Sequence, residues 1–499
     1  MISVLTVEEI RQVEERAAKA GGRSLMERAG RAAAEAAQRI ARDTGAPILV
    51  VAGPGNNGGD AWVAAAYLSE SFHKVQVLDV SGSTPKATEA KAAKAGLEKR
   101  GGIVIGEWPE KMEPALIVDG LLGLGLARDV DLRFADVISR INSSGAPILA
   151  IDSPSGLDAG SGNVRGSAVR ATHTITFIAH KLGLHTADGL DYRGSLTLDD
   201  LGVSAEVERI AKGSLLTPET VSGWLPPRAR NSHKGHFGSL GVIGGNRGMI
   251  GAALLAARAA LLCGAGKVRA GLLASDAPPV DLERPELMMG TVDDAMEMDV
   301  IVAGPGAGQS PSATSVSMFE RNVLPTLIAA PKPVVFDADA LNAIAFNASL
   351  ETAVVARRNG ATILTPHPAE AARLLHKGTP EMNDDRLGAA VALAQRFNAY
   401  VVLKGAGSIC AFPDGRWSVN TTGNAGLAAA GSGDVLAGMI GAFLAQKLDP
   451  EKALQYAVCL HGAAADSCAA RGVGPVGLAA MDVALEARTL LNRWTQPSQ

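Results

Sequence analysis

The 499-residue chain carries 47 Lys and Arg against 51 Asp and Glu, a formal net charge of −4, with 47% apolar and 20% charged residues. That balance excludes wholesale disorder and leaves no basic footprint for nucleic acid. Aromatic residues, at 4%, leave few stacking platforms for single strands.

Length allows two to four domains. The four cysteines, Cys263, Cys410, Cys459 and Cys468, show no C-x-x-C spacing. Neither a disulfide framework nor a zinc site is expected, and a reduced, cytoplasmic compartment fits. The N-terminus meets Glu8 and Glu9 before any apolar run, unlike a signal peptide. Arg258 and Asp434 interrupt the two most apolar stretches, so no membrane span is expected.

Thr6 and Glu9 have capping-box spacing, and Val7, Ile10 and Val13 keep a helical period, which predicts a first helix. A second is predicted over residues 25–42. ILVVAG (48–53) reads as a strand, followed by a glycine turn and an alanine-rich helix from about Ala61. KVQVLDV, IVIG, ALIVDG (115–120) and PILAID (147–152) continue as strands, with a helix near residues 134–143. THTITFIA (172–179) and SLTLDDLG (195–202) are late strands. Apolar strands alternating with helices predict an α/β fold with a mostly parallel sheet flanked by helices.

LLTPETVSGWLPPRAR holds three prolines and no sustained period, which places a domain boundary near residue 213. A second, larger α/β series follows. It runs GSLGVIGG, a helix over 251–262, DVIVAGPG, PVVFDADAL, ATILTPHP, YVVLKG and SICAFP. A long helix after GSGD and two more over 451–470 and 481–494 close the chain.

In GPGNNGGD, Gly53, Gly55 and Gly58 satisfy G-x-G-x-x-G between a strand and a helix, and Asp79 stands about 20 residues on. A dinucleotide-binding dehydrogenase is therefore open at this point, as is a plain turn that needs glycine. Two details point elsewhere. Asp60 is expected in the first helical turn, where a carboxylate competes with a pyrophosphate for the dipole end. Asn56 and Asn57 also bring amide oxygens that suit a cation or ribose hydroxyls. Two more strands end alike, in Asp119 before GLLGLGLARD and in Asp152 before SPSGLD. Three polar, glycine-bearing loops on one carboxyl edge of a parallel sheet mark a ligand site.

LMERAG (25–30), GPGNNGGD, VDGLLGLGL and AIDSPSGLD, in this order, resemble the NAD(P)H-hydrate epimerase family over residues 1–212. The resemblance implies one K⁺ ion held by Asn57, Asp119 and Ser155. It implies that the hydrated nicotinamide nucleotide contacts Asn56, Asn57, Gly58, Gly59 and Asp60. Contacts from Gly123, Leu124, Gly125, Leu126, Ala127, Arg128 and Asp129 are implied too, with Asp152 as substrate ligand and acid–base residue. Leu124 stands where the family commonly has Thr. Inversion needs the ring hydroxyl to leave and return, or the ring to open and close. A strand-end carboxylate that passes a proton serves either route.

In the second half, GVIGGNRGMIGAA and DVIVAGPGAG each run from a strand into a glycine turn. Asp337 and Asp339 end the strand of FDADALN, and LTPHPAE sets His367 between two prolines. The nine histidines show no ligand spacing, and none is assigned to a metal. The sharpest feature is NTTGNAGLAAAGSGDVLAG (420–438). Amides at the GSGD turn can hold a phosphoryl group that becomes anionic, with Asp434 beside it to take a proton. The alternative for Asp434 is a helix N-terminal charge. KGAGS (404–408) offers one cation and several N–H groups to phosphates.

GSGD with an upstream K-G-x-x-[ST] resembles the ribokinase-like superfamily. SHKGHFG, DADALN, LTPHPAE and NTTGN narrow this to the ADP- or ATP-dependent NAD(P)H-hydrate dehydratases over residues 215–495. That resemblance implies substrate contacts from Ala252, Gly306, His367 and Asp434, with Asp434 as base. It implies adenine nucleotide contacts from Lys404, Gly405, Ala406, Gly407, Ser408 and Gly433, and Mg²⁺ as counter-ion. Ser408 stands where Thr is common, and ADP rather than ATP is implied by resemblance alone.

The expected protein thus has a Rossmann-like epimerase domain over residues 1–213 and a ribokinase-like dehydratase domain over 214–499. Together they repair hydrated NADH and NADPH at the expense of ADP. A homo-oligomer is expected, with small-molecule partners and neither nucleic acid nor membrane. From the residues alone two other classes stay open: a kinase acting on a small alcohol, which leaves the first half unexplained, and a nucleotide-sensing regulator.

Overall fold

The computed structural model describes residues 2–21, 23–41, 45–71, 73–82, 85–126, 128–308 and 317–496. Ala127 lies outside the described residues. The chain divides into two compact units, Ile2–Ser214 and Leu215–Gln499.

In the first unit, the helix Val7–Ala20 starts on a capping box. Glu9 N donates to Thr6 Oγ1 at 3.2 Å, and Thr6 N donates to Glu9 Oε2 at 2.8 Å. Ile10 and Val13 are its buried positions. The second helix, Leu25–Ile40, stops short of residue 42 because Ala41 is extended, with φ −61° and ψ 136°. Its alanines and Gly30 let it lie close against the helix Asn56–Glu70. A Cβ on Gly30 would fall 2.4 Å from Val63 Cβ. The helix Leu132–Ser143, which follows Thr88–Lys99, is N-capped by Asp131.

Seven parallel strands form one sheet, in the order Ile103–Ile105, Val75–Asp79, Ile48–Ala52, Leu116–Gly120, Ile148–Ile151, His173–Phe177 and Ser195–Asp199. The order reverses between Ile48–Ala52 and Leu116–Gly120, with Ala52 opposite Gly120. A crevice at the carboxyl ends belongs at this point. Both strands are buried throughout, as expected when helices cover both faces. Val50, Val118 and Trp62 pack on one face, while Leu49, Val51, Ile117 and Ile138 pack on the other.

The helix expected from about Ala61 begins at Asn56 instead. Asn56 and Asn57 therefore occupy its first turn, and Asp60 moves to the second, away from the dipole end. Its glycines sit inside the helix because neighbouring groups leave no room for side chains. A Cβ on Gly58 would fall 1.9 Å from Gly53 O, and one on Gly59 would fall 2.5 Å from Met26 Cε.

The second unit repeats the winding on a larger scale. Its sheet runs Met288–Gly290, Lys267–Leu272, Ser239–Gly244, Val300–Ala303, Val334–Phe336, Thr362–Leu364, Tyr400–Leu403, Ile409–Ala411 and Trp417–Asn420. The first seven strands are parallel and the last two antiparallel. The order reverses between Ser239–Gly244 and Val300–Ala303. Helices Ile250–Leu262 and Ser432–Ala445 pack together on one face. Gly438 permits that contact, since a Cβ there would lie 2.0 Å from Ala256 O. The latter helix starts within the GSGD motif, where Gly431 caps it at φ 85°. Helices Pro450–Ala470 and Ala480–Trp494 follow. The four cysteines are buried and unbridged. Among the described residues, no helix is long and apolar enough to cross a membrane.

Candidate functional site

In the first unit, Asp119 is fully buried at the end of its strand. It accepts hydrogen bonds from Leu121 N at 3.2 Å, Ser155 N at 2.9 Å and Ser155 Oγ at 2.6 Å. Leu122 N donates to Ser155 Oγ at 2.8 Å, and Asn57 Nδ2 donates to Leu122 O at 2.9 Å. Asn57 Oδ1 is buried without a partner. Burial raises the Asp119 pKa above its ordinary value, against the lowering influence of Ser155 and Leu121. Asn57, Asp119 and Ser155 thus meet in one knot of oxygens, one of which is unsatisfied.

Asp152 ends the strand Ile148–Ile151 and holds φ at 67°, a backbone state that a non-glycine residue adopts at a cost. Its Oδ1 accepts from Phe177 N at 3.1 Å and from the ammonium of buried Lys181. Lys181 also donates to Thr176 Oγ1 and Phe177 O, each at 2.8 Å, so its three donors are all engaged. A cavity of about 480 Å³ joins Asp152, Lys181, Asp60, Glu14 and Asn56, with Met26 and Phe177 among its apolar walls. Burial holds the Asp60 pKa well above the ordinary value, with Asp152 and Glu14 adding to it and Lys181 opposing. Glu14 is raised by burial first and Asp152 second.

Gly123 lies against the oxygen knot, since a Cβ there would fall 2.9 Å from Asn57 Cβ. Leu124 packs on the apolar core, Leu126 is half-buried, and Gly125, Arg128 and Asp129 are exposed. None of the described residues of this loop lines the cavity. The structure therefore gathers Asn56, Asp60 and Asp152 in one place. Of the 123–129 loop, Gly123 reaches Asn57, the neighbour of Asn56, but no described residue enters the cavity wall.

In the second unit, Asp434 is half-buried in the first turn of Ser432–Ala445. Lys404 Nζ lies 3.3 Å from the position a Cβ on Gly433 would take. The ammonium donates to Asp337 Oδ1 at 3.0 Å, and Thr365 Oγ1 donates to the same oxygen at 2.6 Å. Burial alone would lower the Lys404 pKa, but Asp337, Glu370 and Asp434 outweigh it and raise it. Burial pushes Asp434 up to about 7, with Asp337, Asp339 and Glu370 adding and Lys404 opposing. Glu370 is likewise pushed up to about 7, chiefly by burial.

His367 caps the helix Pro368–Leu374. Ala369 N donates to its Nδ1 at 3.1 Å, and its own N–H donates to Glu370 Oε2 at 2.9 Å. Half of its side chain remains exposed, and burial, then Lys404 and Arg373, lower its pKa. Gly306 sits against Ala252, where a Cβ on the glycine would fall 3.0 Å from the alanine Cβ. Gly308 N then donates to Asp339 Oδ2 at 2.8 Å. In the 404–408 turn, Gly405 and Ala406 are exposed, Gly405 and Gly407 hold φ at 145° and 63°, and Ser408 Oγ donates to Gly405 O at 3.0 Å.

Two family models match the chain: "YjeF-related protein N-terminus" over residues 22–183 and "NAD(P)H-hydrate dehydratase" over residues 240–484. The bifunctional NAD(P)H-hydrate repair enzyme of Escherichia coli is 39% identical, across 98% of this chain and 94% of that protein. The chain belongs to this family. The Coxiella burnetii repair enzyme is 38% identical, across 97% and 98% of the two chains. Among solved structures, the ADP/ATP-dependent NAD(P)H-hydrate dehydratase of Bacillus subtilis, co-crystallised with ATP/Mg²⁺, is 30% identical. It covers 56% of this chain and 98% of that one, with a TM-score of 0.48.

For a member of the repair-enzyme family, two side chains stand out that motif reading did not assign. Lys181 was legible only as the lysine in THTITFIAHKLGL, a cation in an apolar stretch. Glu370 appeared in the sequence only as the last residue of LTPHPAE, yet it is buried and its charge acts on Lys404.

Proposed function

We propose that the first unit interconverts the R and S hydrates of NADH and NADPH, and that the second dehydrates the S hydrate at the expense of ADP. The observation that carries the first activity is the shared cavity of Asp60, Asp152 and Lys181. Two carboxyl groups in one cavity divide the work when their environments differ. Burial favours the protonated form of Asp60, which gives its proton to the departing ring hydroxyl. The C–O bond breaks to release water as the ring-nitrogen lone pair forms C=N. Water adding to the other face yields its proton to Asp152, whose Oδ1 is held by Lys181 and Phe177 N.

The oxygen knot fits K⁺, because Asn57 Oδ1 lacks a partner and, among the described residues, no cation pairs with the buried Asp119 carboxylate. Asn57, Asp119 and Ser155 would hold the ion, which supplies a fixed positive charge next to Asn56 and the substrate.

In the second unit, Asp434 takes the proton of the S hydrate's hydroxyl as that oxygen attacks the terminal phosphoryl group of ADP, releasing AMP. The amides at the start of Ser432–Ala445 face the developing anion. Phosphate then leaves with the C–O electrons, and the adjacent ring carbon loses a proton to restore NAD(P)H. Mg²⁺ would accompany the nucleotide as its counter-ion and neutralise charge on its phosphates.

Incubation with mixed R and S hydrates plus ADP tests the reading through NADH absorbance. Complete recovery is expected. Nucleotide turnover only on adding an alcohol would indicate a kinase instead, and binding without turnover would indicate a sensor.

A further inference from the structure

The 404–408 turn needs a cation if it is to hold nucleotide phosphates, and the lysine that opens it is engaged elsewhere. Lys404 is bonded to Asp337 and ringed by Glu370 and Asp434. Behind the turn lies a second cation. Arg386, the first residue of the helix Arg386–Phe397, is 7% exposed. One of its terminal nitrogens donates to Gly407 O at 3.3 Å, and its Nε is buried without a partner. Among the described residues no carboxylate pairs with it, and burial is the sole influence that lowers its pKa, to about 10. The neighbouring Asp385 is turned to its own helix, accepting from Gly388 N at 2.8 Å.

We propose that Arg386 is the fixed cation of the nucleotide phosphate subsite, a positioning residue that charges the Gly405–Gly407 turn from behind. This rests on reading that turn as the nucleotide loop. The guanidinium turns the edge bearing its two terminal nitrogens toward the exposed Gly405. A Cβ on that glycine would fall 2.5 Å from one terminal nitrogen and 2.9 Å from the other. Gly405 holds φ at 145°, so glycine is needed both for the backbone and for the approach of the guanidinium. A buried cation without a counter-charge is unfavourable in the empty protein, and an anion seated on the loop removes that penalty. Guanidinium also suits phosphate better than ammonium does, because it is planar, weakly hydrated and permanently charged.

The alternative is that Arg386 only props the loop through Gly407 O. The two differ in sign for the ligand-free protein. A prop that is removed lowers ligand-free stability and leaves the response to ADP intact. An unpaired cation that is removed leaves ligand-free stability equal or higher and weakens the response.

The experiment compares full-length wild type, R386M, R386Q and R386K by thermal unfolding with and without ADP, and by KM for ADP with S hydrate. Expected are a KM raised about tenfold or more in R386M and R386Q, kcat within about twofold, and partial recovery in R386K. The ADP-induced rise in Tm should shrink while the ligand-free Tm holds or increases. A single cooperative unfolding transition for the second unit, together with the retained kcat for dehydration, reports that each variant is folded. An ADP-induced rise equal to that of wild type in R386M and R386Q would overturn the proposal. Wild type showing no response to ADP would overturn the reading of the loop itself.

Discussion

Lys181 and Asp152 form a buried ion pair at the carboxyl edge of the first sheet, in which the lysine also bonds Thr176 Oγ1 and Phe177 O. The pair fixes which carboxylate oxygen is occupied and leaves the other for substrate. It also joins the strand that ends in Asp152 to the strand that precedes Lys181.

Removing one partner should therefore be worse than removing both. Lys181→Met leaves a largely buried carboxylate unpaired and should cost about 3–5 kcal/mol in urea unfolding of the full chain. Lys181→Met combined with Asp152→Asn should recover part of that loss. Equal stability of the single and double variants would show that the pair does not couple.

The two activities should separate genetically. Asp434→Asn is expected to reduce dehydration of the S hydrate by about 10²–10⁴-fold, the usual range for loss of a general base. R/S interconversion, followed by chromatography of the hydrates, should persist. Dehydration surviving in this variant would remove Asp434 from the role of base.

Asp434 and Glu370 also predict pH behaviour. Both stand near 7 in the folded protein, above ordinary values of 3.8 and 4.5. The working base is the carboxylate form, so kcat/KM for dehydration should fall as pH drops below about 7. Stability should run the other way. The folded state binds protons more tightly than the unfolded one, so stability is greatest below the ordinary values and declines as pH rises towards 7. Asp434→Asn should flatten that decline in a pH series of unfolding curves, and an unchanged slope would count against the raised value.

The oxygen knot predicts a monovalent-cation effect that is readable without catalysis. Exchanging K⁺ for tetramethylammonium at constant ionic strength should lower the melting temperature of wild type. Asp119→Asn should be insensitive to the exchange, because the fixed charge that favours the ion is gone. Equal sensitivity in both proteins would place the ion elsewhere.

Much of the fold was legible along the chain. The alternation of apolar strands with helices yields doubly wound sheets because a parallel strand must be buried on both faces. The largest error is local. The helix after GPG was expected to wait for Ala61, since glycines are poor helix formers in isolation. It begins at Asn56, and positions 58 and 59 inside it are glycine because Gly53 O and Met26 leave no room for a side chain.

What the sequence determined by itself was the composition of the loops: carboxylates and amides at strand ends, and glycines where backbone must approach a ligand or another strand. Those are properties of residues and their near neighbours. Pairing was decided by the tertiary structure alone. Lys181 meets Asp152 across 29 residues, Asn57 meets Leu122 across 65, and Lys404 meets Asp337 across 67. Sheet order sets these meetings, and they decide which carboxylates are raised and which lysine is already paired. Charge state depends on burial and on the nearest opposite charge, and neither is a local property of the chain.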